Sequence, residues 1–413
     1  MKVNKGPGEL SRFPQAGNRS GLRITNSLAV LQLIQQEDHT SKSLVAHLGI
    51  SRTAVETVLA ELMESKWIIA RANKNEIDES ASVGRPTKSF TLNSDAGCIA
   101  SLDIGAHHIY AIIADLHGNT LAYENESISE NLSANSRLSQ SNKILTKTLA
   151  LAGKSADDLW LLTLGSPGIV ENGVVTFYGG HGLPGWVGLD LKAFFMQKVQ
   201  CEVVLEGNVN LGTIAEKWKG KAVEAKDYVY FYSGTRTGFG YYLDGLLRRG
   251  SRGATGLIGH LPELRWDEIE NSLYIRSDSE TKTPDLSQLF TDARLGVPKA
   301  KRAVEEFSKM LALGVSAVCL TLDPQLIVIG GPNSTHGDLF LETFRRELAD
   351  RYPMNIPEIK LSILGLEGPC LGGVKLALDL IQGHLLQMGN EGKSLPKSTP
   401  TEWRQAVRQL AQP

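Results

Sequence analysis

The chain has 413 residues, enough for two to four domains at roughly 100–200 residues each. Apolar residues make up 42% and charged residues 21%, the proportions of a folded globular protein, which excludes disorder over most of the length. The formal charge of −2 excludes a polycation that grips nucleic acid along its whole surface. No apolar run reaches the roughly 18 residues that span a bilayer, and the opening MKVNKGPGELSRFPQAGNRS lacks the apolar stretch of a secretory signal. No membrane partner is expected, and the expected location is the cytoplasm. Cys98, Cys201, Cys319 and Cys370 stand singly, without a C-x-x-C pair, so neither a disulfide framework nor a cysteine zinc site is indicated.

Residues 1–25 carry five basic side chains and one acidic, and residues 1–20 have no periodicity, which reads as a mobile basic arm. Over 21–95 the pattern changes. Ile24, Leu28, Leu31 and Ile34 recur at helical spacing and predict a first helix of about three turns. Thr40 or Ser41 can cap a second, short helix that turns Leu44, Val45 and Leu48 inward. Gly49 ends it, being free to take a left-handed backbone. Ser51 is the next cap, and Val55, Val58, Leu59 and Leu62 form the buried stripe of a third helix running to about Ser65. WIIARA (67–72) and KSFTLN (88–93) read as antiparallel strands. Three helices followed by a two-stranded wing make a winged helix-turn-helix.

Such a unit presents its third helix to the DNA major groove. Arg52, Thr53, Glu56 and Thr57 lie off the buried stripe and are candidate contacts, and Ser51 can meet a phosphate at the helix N-terminus. In Gly84-Arg85-Pro86 the proline holds Arg85 extended, as needed to enter a narrow minor groove from the wing. The implied partner is a double-stranded DNA operator. A three-helix module used for protein contact is the alternative.

Over 96–390 short apolar runs alternate with glycine turns, the grain of an α/β protein with two lobes. CIASLDIG (98–105) is a strand with Asp103 near its end. KDYVYFYSGTRTGFGYYLDGLLRRG (226–250) repeats that opening as strand, glycine turn, strand and Asp-Gly hairpin. PQLIVIGGP (324–332) is a buried strand, and GPCLGGVKLAL (368–378) starts a helix whose small residues allow close packing. After 390 a polar tail (391–413) ends in a short helix around Trp403–Leu410, with no role legible.

Seven segments taken together resemble the ROK family (repressors, open reading frames, kinases): DIG at 103–105, SPGIV at 166–170, LPGW at 183–186, EGNVNLGTIAE at 206–216, SGTRTGFG at 233–240, TGLIGH at 255–260 and DPQLIVIGG at 323–331. The resemblance covers about residues 20–385. It implies a hexokinase-like, actin-like ATPase fold assembled as a homodimer or homotetramer. Repressor members carry an N-terminal DNA-binding domain, and kinase members usually lack it.

Departures from the family pattern bear on function. ROK sugar kinases carry Glu-Asn-Asp-Ala-Asn where this chain has Glu206-Gly207-Asn208-Val209-Asn210. The family's aspartate, the base that takes the sugar hydroxyl proton, corresponds to Asn208. An amide cannot accept that proton, and general base catalysis contributes roughly 10²–10⁴-fold. The family's sugar-binding asparagine corresponds to Gly207, and its sugar-binding glutamate in Ala-Gly-Glu-x-Gly-His to Leu257, so strong preference for a polyol should be lost. His260 persists without the family's cysteine loop, and one histidine does not hold structural zinc. It is expected to be buried and hydrogen-bonded, with ligand contact as the alternative. Arg236 sits in a phosphate turn where kinases prefer small residues, and could crowd a nucleotide or capture an anion.

These residues predict a DNA-binding regulator, by family habit a repressor, with no catalytic residue, metal or cofactor. Its ROK domain would serve oligomerisation and bind a small-molecule effector, a sugar or derivative, near Gly168, Gly207, Asn208, Leu257 and His260. An ATP-dependent sugar kinase and a sensor of a non-standard ligand are the competing readings.

Overall fold

The computed structural model describes residues 19–72, 88–180, 182–234, 236–266 and 286–410. The N-terminal unit contains helix α1 (Arg19–Gln36), strand β1 (His39–Thr40), helices α2 (Ser41–Leu48) and α3 (Arg52–Glu64), and strands β2 (Ile68–Ala72) and β3 (Lys88–Leu92). Thr40 caps α2 through a reciprocal pair: its side chain accepts from the Ser43 amide, and the Ser43 hydroxyl accepts from the Thr40 amide. Gly49 closes α2 at φ 65, which only glycine takes without penalty. Ser51 caps α3 by accepting from the Ala54 amide, and Val55, Val58, Leu59 and Leu62 are the buried stripe.

Two sequence expectations need correction. Helix α1 has 18 residues rather than three turns, because its first turn adds nothing to the apolar stripe; Arg19 and Ser20, expected in the arm, are helical. The rest of the arm, residues 1–18, lies outside the described residues. The wing also has a third strand, β1, pairing antiparallel with β3 in the order β1-β3-β2. A strand of two residues leaves no periodic signal to read.

The first lobe contains β4 (Cys98–Ile104), β5 (His108–Ala114), β6 (Thr120–Ser127), α4 (Ala134–Leu151), β7 (Leu159–Ser166), the hairpin β8 (Ile169–Glu171) and β9 (Val174–Phe177), α5 (Leu191–Met196) and β10 (Glu202–Gly207). Helix α6 (Asn208–Lys219) leads to the second lobe: β11 (Tyr228–Ser233), β12 (Thr237–Leu243), β13 (Leu246–Arg248), α7 (Leu286–Arg294), α8 (Pro298–Leu322), β14 (Leu326–Gly330), α9 (Gly337–Ala349) and β15 (Glu358–Leu361). Helix α10 (Gly368–Asn390) returns to the first lobe, and α11 (Pro400–Leu410) ends the described chain.

Both lobes are built on one plan. The first sheet runs β10-β7-β4-β5-β6 and the second β13-β12-β11-β14-β15. Each is an antiparallel three-strand meander with two further strands added in parallel beside its first strand. Strand periodicity explains the layering of the first lobe. Cys98, Ala100, Leu102 and Ile104 face a core with Leu138, Leu145 and Phe195 from α4 and α5. Ile99, Tyr110, Ile112 and Leu161 join a separate core with α10. The crossing of α10 over α6 is tight, since a Cβ on Gly372 would stand 1.8 Å from the Leu211 carbonyl oxygen.

That second core does not stop at the lobe. It continues through Leu28, Leu31, Val58 and Trp67 of the winged helix and through Trp403 of α11. Trp403 is 1% exposed and stacks on Trp160 at 4.7 Å, while Trp67 meets Trp160 edge-on at 5.3 Å. The Trp67 indole donates to the Pro396 carbonyl at 2.8 Å, and the Ser398 amide donates to the Ser65 carbonyl. The segment beyond 390, without a legible role in sequence, is therefore a strap joining wing and lobe. None of the described helices is long and apolar enough to cross a membrane.

Candidate functional site

Two surfaces gather the residues singled out by sequence. The first is the start of α3, where Ser51, Arg52, Thr53, Glu56 and Thr57 are all exposed. Arg52 donates to Glu56 at 2.7 Å, an i,i+4 pair with side chains 80% and 54% exposed. Exposed pairs of this kind contribute about 0.3–0.5 kcal/mol, so a phosphate or base edge can displace the glutamate. Arg85 and the Gly84–Pro86 turn lie outside the described residues.

The second surface is the cleft between the lobes. On the first lobe, Gly168 follows β7 at φ +93, and a Cβ there would lie 2.2 Å from the Phe177 carbonyl oxygen. Gly207 ends β10 and caps α6 without a side chain, and Asn208 is the first helical residue. A Cβ on Gly207 would stand 3.7 Å from the Gly168 carbonyl oxygen, so Gly168, Gly207 and Asn208 are brought together. Among the described residues, the Asn208 side chain makes no hydrogen bond.

Glu206, by contrast, is 8% exposed and fully engaged. One carboxylate oxygen accepts from the Gly207 amide at 2.9 Å and the Asn210 amide group at 2.8 Å; the other pairs with Arg249.

The second lobe contributes Arg236, Leu257 and His260. Leu257–His260 is a 3₁₀ turn entered through Gly256 at φ 94. Residues three apart share a side in a 3₁₀ turn. Ile258 therefore packs toward the second-lobe core, while Leu257 and His260 come out at the rim, both exposed. The expectation of a buried, hydrogen-bonded histidine fails for this reason. The His260 ring instead meets Phe177 edge-on at 4.9 Å across the cleft.

Arg236 also crosses the cleft. It donates to the Gly179 carbonyl at 3.1 Å and lies 5.7 Å from the centre of the Tyr178 ring. The Gly179-Gly180 pair makes room for both crossings. A Cβ on Gly179 would stand 2.1 Å from His260, and one on Gly180 would stand 2.4 Å from Arg236. Sequence reading marked Arg236 but not its destination, and it missed Tyr178 and Arg249. The basic run LLRRGSRG (246–253) was the available signal for Arg249.

Asp103 lies deeper. A Cβ on Gly165 would stand 2.5 Å from its Oδ1, an oxygen with no hydrogen-bond partner among the described residues. Burial pushes the Asp103 carboxyl up to about 7.

Residues 99–379 match the model of the ROK family. A xylose repressor of Caldicellulosiruptor bescii is 23% identical over 368 residues, covering 81% of this chain and 90% of the relative. A glucokinase of Halalkalibacterium halodurans is 25% identical over 281 residues, covering 60% of this chain and 84% of the relative. Among solved structures, a ROK family transcriptional regulator described as a homolog of the E. coli MLC protein superposes with a TM-score of 0.68. It is 17% identical and covers 90% of this chain and 100% of its own, a likeness of fold.

Proposed function

The chain belongs to the ROK family, and we propose that it is a DNA-binding transcriptional repressor whose ROK domain binds an effector without phosphorylating it. The observation that carries this reading is the exposed polar face at the start of α3, presented by a winged helix. Ser51, Arg52, Thr53, Glu56 and Thr57 read the operator in the major groove, and Arg85 enters the minor groove beside it. Similarity to a xylose repressor over 81% of the chain, against 60% for a glucokinase, supports the same direction. Assembly as a homodimer or homotetramer sets two such helices on half-sites about 34–36 Å apart, or a multiple of that.

The competing reading, an ATP-dependent sugar kinase, draws support from Asp103 and the retained glycine turns. It is opposed by Asn208 in place of a base and by Gly207 and Leu257 in place of sugar ligands. A coupled assay with ATP and common hexoses separates the two; substantial turnover would revive the kinase. For the repressor, Arg52→Ala and Arg85→Ala should each weaken operator binding by about 5- to 150-fold, the range of roughly 1–3 kcal/mol per specific contact. Gel-shift titration at fixed salt measures this, and unchanged affinity in both folded variants would overturn the assigned face.

A further inference from the structure

We propose, on the premise of the operator reading above, that α3 recognises a guanine of the half-site through Arg52, held in orientation by Glu56, and a neighbouring thymine through the methyl group of Thr57. Arg52 is then a determinant of sequence, and Glu56 its positioning residue.

The first observation is which atoms of Arg52 are engaged. Its Nε donates to Glu56 Oε1 at 2.7 Å, while Nη1 and Nη2 have no acceptor among the described residues. Guanidinium holds its donors in a fixed planar fork. With Nε turned to Glu56, the edge left for the groove is the Nη1 and Nη2 pair. Two parallel donors match O6 and N7 of guanine, which are both acceptors. Adenine sets a donor, its N6, beside N7 and so turns one of them away.

A phosphate would also accept the fork, and Glu56 tells against that. It lies one turn beyond Arg52 on the same row of the helix, with its side chain 54% exposed. Phosphate oxygens repel a carboxylate, whereas N4 of cytosine donates to one. An acid beside the arginine is therefore tolerated at base edges and penalised at the backbone. The pair is screened in the free protein. A filled groove excludes that water, and the same contact then holds Arg52 more firmly.

The second observation is the Thr57 hydroxyl, which donates to the Thr53 carbonyl at 2.8 Å and is turned back on its own helix. The group this exposed threonine can offer is its methyl, and thymine carries the methyl of the major groove. Thr57 lies about 7.5 Å beyond Arg52 along α3, or about two base pairs. The buried stripe of Val55, Val58, Leu59 and Leu62 fixes the helix so that this face stays outward.

The test uses the full-length protein and duplexes with a random core of about 30 base pairs, long enough for two half-sites one turn apart. Bound duplexes are separated by gel shift and sequenced. The wild type should enrich an inverted repeat with one guanine and one thymine fixed in each half. Exchanging that guanine for adenine should weaken binding by about 5- to 150-fold, and 7-deazaguanine, which lacks the N7 acceptor, should cause part of that loss. Arg52→Ala should be indifferent to both exchanges. Arg52→Lys, a point charge without the fork, should bind duplex but lose the preference. Glu56→Ala relieves repulsion toward every duplex, so its readout is the ratio of guanine to adenine duplex, which should fall. Glu56→Gln keeps an acceptor for Nε and should hold most of that ratio. Uracil in place of the thymine removes one methyl and should weaken the wild type by about 4-fold; Thr57→Ser should not distinguish the two. Circular dichroism establishes that the variants fold. If Arg52→Ala enriches the same motif, with a uniform loss across sequences and a salt slope lower by about one, Arg52 sits on a phosphate. That result would overturn the guanine assignment and leave the operator reading standing. An unchanged ratio in Glu56→Ala would overturn the positioning role, and equal binding of thymine and uracil duplexes the Thr57 contact. No enriched sequence at all would overturn the operator reading itself.

Discussion

Trp403 offers the sharpest test of how the chain is held together. A buried indole removes about 150–250 Å² from water. At about 25 cal/mol per Å² that is roughly 4–6 kcal/mol, before any gain from its ring contacts. Trp403 is the only buried residue of α11, and it stacks on Trp160 with 19° between the planes. Truncation to alanine would leave a cavity or release the helix. Because the other α11 side chains packed on that core, Ala406, Val407 and Leu410, are only partly buried, release is the cheaper outcome, and it wets Trp160 and Trp67 together. The expected loss is about 3–5 kcal/mol, the usual range for an indole truncated in a core. Trp403→Phe should recover part of it. Urea titration followed by tryptophan fluorescence reads the energy, and limited proteolysis across 391–410 reads the release. A loss under about 1 kcal/mol with unchanged protease resistance would refute the strap and the shared core drawn from it.

Two further substitutions probe the first lobe. The Asp103 carboxyl is raised from 3.8 to about 7, so the folded chain keeps a proton that the unfolded chain gives up. Its contribution is fully present below about pH 4 and is lost as pH rises to about 7, so Asp103→Asn should flatten stability over that window. At pH 8 the asparagine variant should be the more stable, by at most about 4 kcal/mol, and urea melts giving the same difference at pH 5 and pH 8 would exclude this origin. Arg137 is fully buried and donates to the carbonyls of Gly105, Ala106, Ser129 and Glu130, so Arg137→Met should destabilise by about 3–5 kcal/mol. A change within about 0.5 kcal/mol in the same melts would mean that those carbonyls find other donors.

What could be read from sequence was set locally. Thr40, Gly49 and Ser51 act within three or four residues of themselves, and the α3 stripe follows from helical spacing alone. Strand β1 owes its existence to β3, some 50 residues away, so nothing in His39-Thr40 announces it. The same holds for the strap. Trp67, Trp160 and Trp403 meet only after the lobe has folded, and each alone is an ordinary aromatic residue. At the cleft, the replaced side chains at 207, 208 and 257 were legible because the surrounding family pattern survives. Arg236 was visible but its acceptor was not, since the reach to Gly179 spans the lobes. His260 went wrong because an exposed position on a 3₁₀ turn cannot be told from a buried one by residue type.

The geometry also limits how a ligand in the cleft could reach the DNA-binding face. Helix α10 has 23 residues, about 35 Å of rigid element. Near its start, Gly372 and Gly373 press against α6 and β4, and α6 begins at Asn208 in the cleft. Near its end, Gly389 meets Ile24 and Leu28 of α1. The winged helix and the first lobe share one core, so there is no slack linker to absorb a change in the lobe. A packed core moves between discrete arrangements rather than bending smoothly. A ligand seated only on the first lobe, with equal affinity for both arrangements, would shift nothing however tightly it bound. Differential affinity requires contact with something that changes between arrangements. The bridges from Arg236 and His260 to the Phe177–Gly180 segment span the cleft, and a ligand that replaces them alters how one lobe holds the other. Coupling to the operator therefore depends on contacts across the cleft more than on affinity at its floor.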